Sequence, residues 1–338
     1  MPGWLNDFWK TSRNLGLAAL VAALVSSWLF AGGKAAGKDA YYGMVVDPTV
    51  NIGRAIPKLS QLGVHTVRLR MDVKDWARPA ANTGGAEFDS ALGQATELDK
   101  QGFQVILLVN SQGGAVPSYA RASALFRWLL GRPGASAVDV VEVMGPVTVQ
   151  ESDADALSTT MTMDAQAHRY VDGPLRAAWD VFHPARKRVL GAAFTLWQQA
   201  RNFSSVPTYT FAVTRAYLRA GYLRYVDYAG LRPTVGTAAS QLEWARQAKA
   251  LFGRTPVWIS EWGLTRGDYK DLAGYTDAMT RAVTPLRQSV AVVCYATFTP
   301  SSGSAGTSGS DGLVKPGLTG YREVDPAYPA YRSWPKQR

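Results

Sequence analysis

The heptad Val257–Gly263, VWISEWG, delivers a single carboxylate, Glu261, at the end of an apolar, β-favouring run and sets it between Trp258 and Trp262. A Glu in that place can act as a nucleophile, a proton donor or half of a buried ion pair. Counting by twos along the run puts Glu261 on the face of Val257 and Ile259. A structural ion pair with Arg68 or Arg232 is the competing use of the carboxylate. An arginine facing it would occupy its oxygens and favour anion or sugar-acid binding over attack.

Positioning that residue needs a rigid scaffold. Short β-rich runs alternate with longer amphipathic ones from Tyr41 onward. The candidate strands are Tyr41–Val46, Val64–Arg70, Gln104–Val109, Val138–Met144, Arg188–Phe194, Tyr225–Leu231, Val257–Glu261 and Val290–Thr297. The helices expected between them are Ile52–Leu62, Ser90–Gln101 capped by Asp89, Ser118–Leu130, Pro174–Phe182 with proline in its first turn or with more helix ahead of it from Asp155, Thr208–Ala220, Ser240–Phe252 and Asp271–Arg287. Strands alternating with helices over this length predict parallel pairing through crossovers. Eight strands predict an α/β fold of the (β/α)8 TIM-barrel type over residues 41–338. An open doubly wound sheet would carry a Gly-rich turn after its first strand, and MVVDPTVNIG has none. The Ser/Gly-rich stretch Ser301–Gly312 reads as a rim loop, and the Tyr/Pro-rich tail after it as the last packing element.

In such a barrel, chemistry gathers at the C-terminal strand ends. There the sequence places Asp47, then Arg68, Arg70, Asp72 and Asp75-Trp76, then Asn110, Ser111 and Gln112. Thr195, Trp197, Gln198 and Gln199 follow, with Arg232, Glu261, Trp262, Tyr295 and Phe298 completing the rim. Flat aromatic faces mixed with amides and charges suit pyranose rings, so a carbohydrate polymer or glycoside is the expected partner. Arg68, Asn110, Trp197, Arg232, Trp262, Tyr295 and Phe298 are the candidate substrate-binding residues.

Composition narrows the alternatives. In 338 residues, 47% hydrophobic and 18% charged, the chain can build a large core. Cys294 is the lone cysteine, so no intrachain disulfide exists. His65, His168 and His183 are scattered without ligand spacing; neither a metal nor a cofactor is expected. The net charge of +10 would attract nucleic acid and an anionic polysaccharide equally well, but its Lys and Arg are dispersed with no binding motif, which disfavours nucleic acid as a partner. Lys10 and Arg13 precede the uncharged run Leu15–Phe30, with Lys34 and Lys38 among small residues behind it. Residues 1–40 therefore read as a signal peptide or membrane anchor, and the barrel is expected outside the cytoplasm, secreted or tethered.

VWISEWG resembles the seventh-strand motif of the clan A glycoside hydrolases, retaining (β/α)8 enzymes whose nucleophile is a Glu at the position of Glu261. GVHTVRLRMDV with Arg68, GFQVILLVN, VDYAGLRP and the ending DGLVKPG with AYPAYRSW are similar to further parts of that pattern. The resemblance implies an Asn-Glu pair ending the fourth strand, with the Glu as acid/base. Here VVEVMGPVTVQ supplies Gly145 or Pro146 at that place, and Glu142 sits too early in the strand to reach the rim. Arg232-Pro233 stands where the sixth strand of the clan carries His and an aromatic residue. Retaining hydrolysis needs a second carboxyl group about 5–5.5 Å from the first. Three resolutions remain: a carboxylate from the following loop, Glu151 first among Glu151, Asp153 and Asp155; a leaving group that needs no proton; or a barrel that binds glycans without cleaving them.

Overall fold

The computed structural model describes residues 42–47, 49–82, 86–112, 115–144, 162–195, 211–233, 237–264, 269–295, 313–316, 321–323 and 327–334. Leu15–Phe30, Glu151, Trp197 and Phe298 lie outside them. Among the described residues no helix is long and apolar enough to cross a membrane.

The chain alternates as its hydrophobic periods demand. Strand β1 (Tyr42–Val45) leads to α1 (Ile52–Gln61), β2 (Thr66–Val73), α2 (Ala86–Lys100), β3 (Gln104–Ser111), α3 (Tyr119–Leu130) and β4 (Val140–Val143). Next come α4 (Met163–Tyr170), a π-helical turn Val171–Leu175, α5 (Arg176–Phe182), β5 (Arg188–Leu190), β6 (Phe194–Thr195) and α6 (Ala212–Arg219). Then follow β7 (Ala229–Arg232), α7 (Ala238–Phe252), β8 (Val257–Trp262), α8 (Leu272–Ser289) and β9 (Val292–Tyr295). A hairpin of β10 (Val314–Pro316) and β11 (Tyr321–Glu323) precedes α9 (Ala327–Ser333).

Two helix starts differ from expectation. Because α2 begins at Ala86, Asp89 lies inside it and not at its N-cap. Pro174 sits within the π turn, beside Gly173 at φ −93° and ψ −108°, not in the first turn of a new helix.

Strands β1 to β9 form one parallel sheet in the order β5-β4-β3-β2-β1-β9-β8-β7-β6. Its two ends, β5 and β6, are halves of the expected fifth strand, interrupted only by Gly191–Ala193. Leu190 also bridges Tyr228 just ahead of β7. The sheet therefore curls round on itself like a TIM barrel, with one broken strand serving both edges.

Alternate residues sort into two cores. Val67, Leu69, Met71 and Val73 of β2 and Val105, Leu107 and Val109 of β3 belong to the outer core, which includes Leu125, Phe126 and Leu129 of α3. Ile106, Val140, Leu190, Trp258, Val292 and Cys294 point the other way and fill the base of the barrel, where Tyr228 stacks on Trp258 at 4.0 Å. Burial there pushes the Cys294 thiol up to about 12. The tail packs as expected from its aromatic content. Tyr331 donates to the carbonyl of Gly43 at 2.8 Å, and Trp334 donates to Thr280 of α8 at 3.2 Å.

Two tyrosines replace the sheet bonds lost at the break. The Tyr170 hydroxyl donates to Val143 O and accepts from Ala192 N–H, both at 2.8 Å. The Tyr222 hydroxyl donates to Ala192 O at 3.2 Å and accepts from Gly230 N–H at 3.3 Å. A Cβ on Gly191 would overlap the Tyr222 ring, so the wedge requires glycine there. Tyr222→Phe leaves the Ala192 carbonyl and the Gly230 amide buried with one partner fewer, an expected cost of about 1–3 kcal/mol. Gly191→Ala should cost at least as much, because the ring is held between Phe194 and Phe252. Urea unfolding of each variant measures this; a change below about 0.5 kcal/mol in both would show that the wedge carries no strain-sensitive contact.

Candidate functional site

Above the apolar base, the inner face turns ionic. On β2 the alternation that sends Val67 and Leu69 outward sends Arg68, Arg70 and Asp72 inward, one above another. Arg68 reaches across to β4: its Nε donates to Glu142 Oε2 at 2.6 Å and its Nη2 to Oε1 at 3.1 Å. Ser260 on β8 donates to the same Oε1 at 3.0 Å. The Glu142 side chain is 0% exposed and that of Arg68 4%. Burial alone would lower the Arg68 pKa, yet the Glu142 and Glu261 carboxylates outweigh it and hold it above its ordinary value.

Glu261 enters this layer through an irregularity in β8. Ile259 pairs with Val293 and Trp262 with Tyr295, so three steps along β8 match two along β9. This is the signature of a bulge, which breaks the period of two. Val257 and Ile259 lie in the outer core, whereas Trp258 lies in the base and Ser260 bonds Glu142. Glu261 joins Ser260 on the inner side. The expectation that it shares a face with Val257 and Ile259 is thus corrected: strict alternation would have turned it toward the helices, and the extra residue turns it inward.

There it meets two guanidinium groups. Arg232, the last residue of β7, places Nη2 at 2.7 Å from Glu261 Oε1, and Arg68 Nη1 lies 3.4 Å from Oε2. The Glu261 and Arg232 side chains are 15% and 24% exposed, at the edge of solvent. Glu142 cannot serve as a second reacting carboxyl group, since it is sealed and both its oxygens accept from Arg68. Higher on the rim, Asn110 donates to Asp72 Oδ1 at 3.0 Å, and Arg70 Nε donates to the same atom at 3.0 Å.

Two expected sugar contacts face the other way, Trp262 because of the bulge and Tyr295 by the regular alternation of β9. Trp262 is 0% exposed, points to the outer core, and donates from Nε1 to Gln241 Oε1 at 2.8 Å. Its neighbour Tyr295 is 2% exposed, edge-on to Trp262 and tilted against Tyr331. Both are core residues and do not face the mouth. The excess of aromatic residues in the tail, which has to pack somewhere, is the signal that could have shown this. Sequence reasoning also missed Ser260, although a lone polar residue before Glu261 in an otherwise apolar strand was visible.

At the end of β4 the chain leaves through Met144 at φ 63°, a left-handed conformation that costs an L-residue about 1–2 kcal/mol. The Met144 N–H donates to Val109 O at 2.8 Å and keeps the turn in place. Residues 145–161, including the Gly145-Pro146 departure and Glu151, lie outside the described residues. Among the described residues no group of three or more His, Cys, Asp or Glu side chains could hold a metal ion.

Fold and site together define a parallel α/β barrel with a charged inner layer below its mouth and one carboxylate at the boundary between them. Solved glycoside hydrolases share this architecture. A family 39 glycoside hydrolase from the gut symbiont Bacteroides cellulosilyticus WH2 matches with a TM-score of 0.57 at 11% identity, over 87% of this chain and 63% of that one. A GH128 (subgroup II) endo-β-1,3-glucanase from Sorangium cellulosum matches with a TM-score of 0.57 at 16% identity, over 88% of this chain and 100% of that one. The chain thus spans about 63% of the length of the family 39 structure. No family model and no curated protein matches the sequence. At these identities the likeness is one of fold.

Proposed function

We propose that this chain is a glycoside hydrolase-like barrel acting on a polysaccharide or glycoside outside the cytoplasm, with Glu261 as nucleophile of a retaining reaction. The observation that carries the reading is the inward, partly exposed carboxylate of Glu261, held at the barrel mouth by Arg232 and Arg68. Glu261 would attack the anomeric carbon to form a glycosyl ester while the leaving oxygen takes a proton from a second carboxylic acid. Glu151 is the first candidate for that acid. Water would then hydrolyse the ester with the same group acting as base. The apolar run Leu15–Phe30 supports export, and recovery of the chain from the cytoplasmic fraction alone would overturn that part.

A second reading, glycan binding without turnover, is favoured by one contact. The 2.7 Å hydrogen bond from Arg232 covers the oxygen that would attack. Activated 2-deoxy-2-fluoro glycosides, offered as both the glucoside and the glucuronide, separate the two. Turnover predicts a stable adduct whose mass localises to the peptide containing Glu261. Absence of any adduct, together with no new reducing ends from β-1,3-glucan or acidic polysaccharides that nonetheless bind, would establish the binding reading instead.

A further inference from the structure

The two arginines at Glu261 are not equivalent. Arg68 engages all three of its nitrogens: Nε and Nη2 hold Glu142 and Nη1 faces Glu261. Its buried fork already ties Glu261 to the inner layer. Arg232 uses one donor on Glu261, while its Nε–H is buried without an acceptor and its remaining donors meet none among the described residues. A guanidinium carries five donors in a planar fork suited to a carboxylate. Leaving the buried Nε–H unmatched is costly unless an acceptor arrives from outside. Arg232 is also the more exposed of the pair, on the side from which a ligand would enter. The overall charge of +10 adds a long-range attraction for polyanions.

From this we infer that Arg232 is a specificity-determining residue that reads the carboxylate of an acidic sugar, so that the substrate class is a uronate-containing polysaccharide. The inference rests on the glycan-processing reading above and deepens it. When the sugar carboxylate docks on the free edge of the fork, it competes with Glu261 for the guanidinium and draws Arg232 away from Oε1. The carboxylate of Glu261 is then uncovered, still held by Arg68 through Oε2. A neutral sugar brings no competing anion and leaves Oε1 covered. The same contact that suggests binding without turnover thereby becomes a gate opened by the correct substrate.

The test compares a uronate oligosaccharide with its carboxyl-reduced counterpart at about 0.15 M salt, where diffuse charge attraction is screened beyond about 8 Å. Calorimetry on the full chain reads affinity for the wild type, Arg232→Gln and Arg232→Lys, with thermal unfolding confirming that each variant folds. The wild type is expected to prefer the uronate at least tenfold. Arg232→Gln should erase that preference by weakening uronate binding at least tenfold. Arg232→Lys, a point charge without the fork, should keep part of the preference. A preference that survives unchanged in Arg232→Gln overturns the inference, because dispersed surface charge would then explain it. Binding or cleavage of the reduced sugar with no preference in the wild type also overturns it, yet leaves the glycan-processing reading intact. Failure of both sugars, and of neutral glucans, to bind removes that reading and the inference with it.

Discussion

Glu142→Gln is expected to destabilise the barrel by roughly 3–5 kcal/mol, because it leaves the Arg68 guanidinium buried with its main partner neutralised. Three hydrogen bonds converge on Glu142, two from Arg68 and one from Ser260, and none of these atoms is near bulk water. The remaining carboxylate, Glu261 at 3.4 Å, is too distant to compensate. For a domain of this size that loss corresponds to a fall of about 5–8 °C in Tm. Replacing both partners, Arg68→Met with Glu142→Leu, should restore most of the stability, since the desolvation cost disappears along with the attraction. Urea unfolding of the two variants decides the matter. A single variant within 1 kcal/mol of wild type would mean that water reaches the pair. The double variant tests function as well, for it deprives Glu261 of Arg68 and should loosen the carboxylate at the mouth even where the fold is recovered.

Glu261→Gln is expected to lower turnover of a cleavable glycan by at least ~10³-fold, equivalent to ~4 kcal/mol of transition-state stabilisation. The amide keeps the shape of the side chain and its acceptor toward Arg232 but cannot attack the anomeric carbon. Glycan affinity should therefore stay within about tenfold of the wild type. Stability should change little, less than about 1 kcal/mol, because Arg232 at 24% exposure can be rehydrated. The contrast with Glu142 follows from depth: the two carboxylates share Arg68, one beneath the mouth and sealed, the other at its edge. Initial rates on activated and natural glycosides, with isothermal titration of the variant, measure both quantities. Undiminished turnover would assign the chemistry to another residue. A parallel loss of affinity and rate would make Glu261 a ligand-binding group only.

Much of the scaffold was legible locally. The runs that became β2 and β3 were readable because branched and apolar residues alternate with outward or inward partners over several residues. The break in the fifth strand was not readable. Gly191–Ala193 looks like continued strand, and the tyrosines that fill the gap are Tyr170 and Tyr222, brought there by helices on either side. The seventh run likewise gave its carboxylate but hid its direction. Trp262 and Tyr295 carry the composition of a sugar platform, and only their packing against the tail shows them to be core.

By itself the sequence determined the alternation of strands and helices, the placing of Glu261 at a strand end, and the presence of Arg68 and Arg232 as its competing partners. Those properties depend on a few neighbouring residues and their periodicity. The tertiary structure decided that Glu261 turns inward, that Arg68 spans from Glu142 to Glu261 over separations of 74 and 193 residues, and that Trp262 turns away. The reason is register. A strand fixes which residues share a face, but which face is the inside, and where an added residue reverses the count, is set by bonds to neighbouring strands distant in the chain.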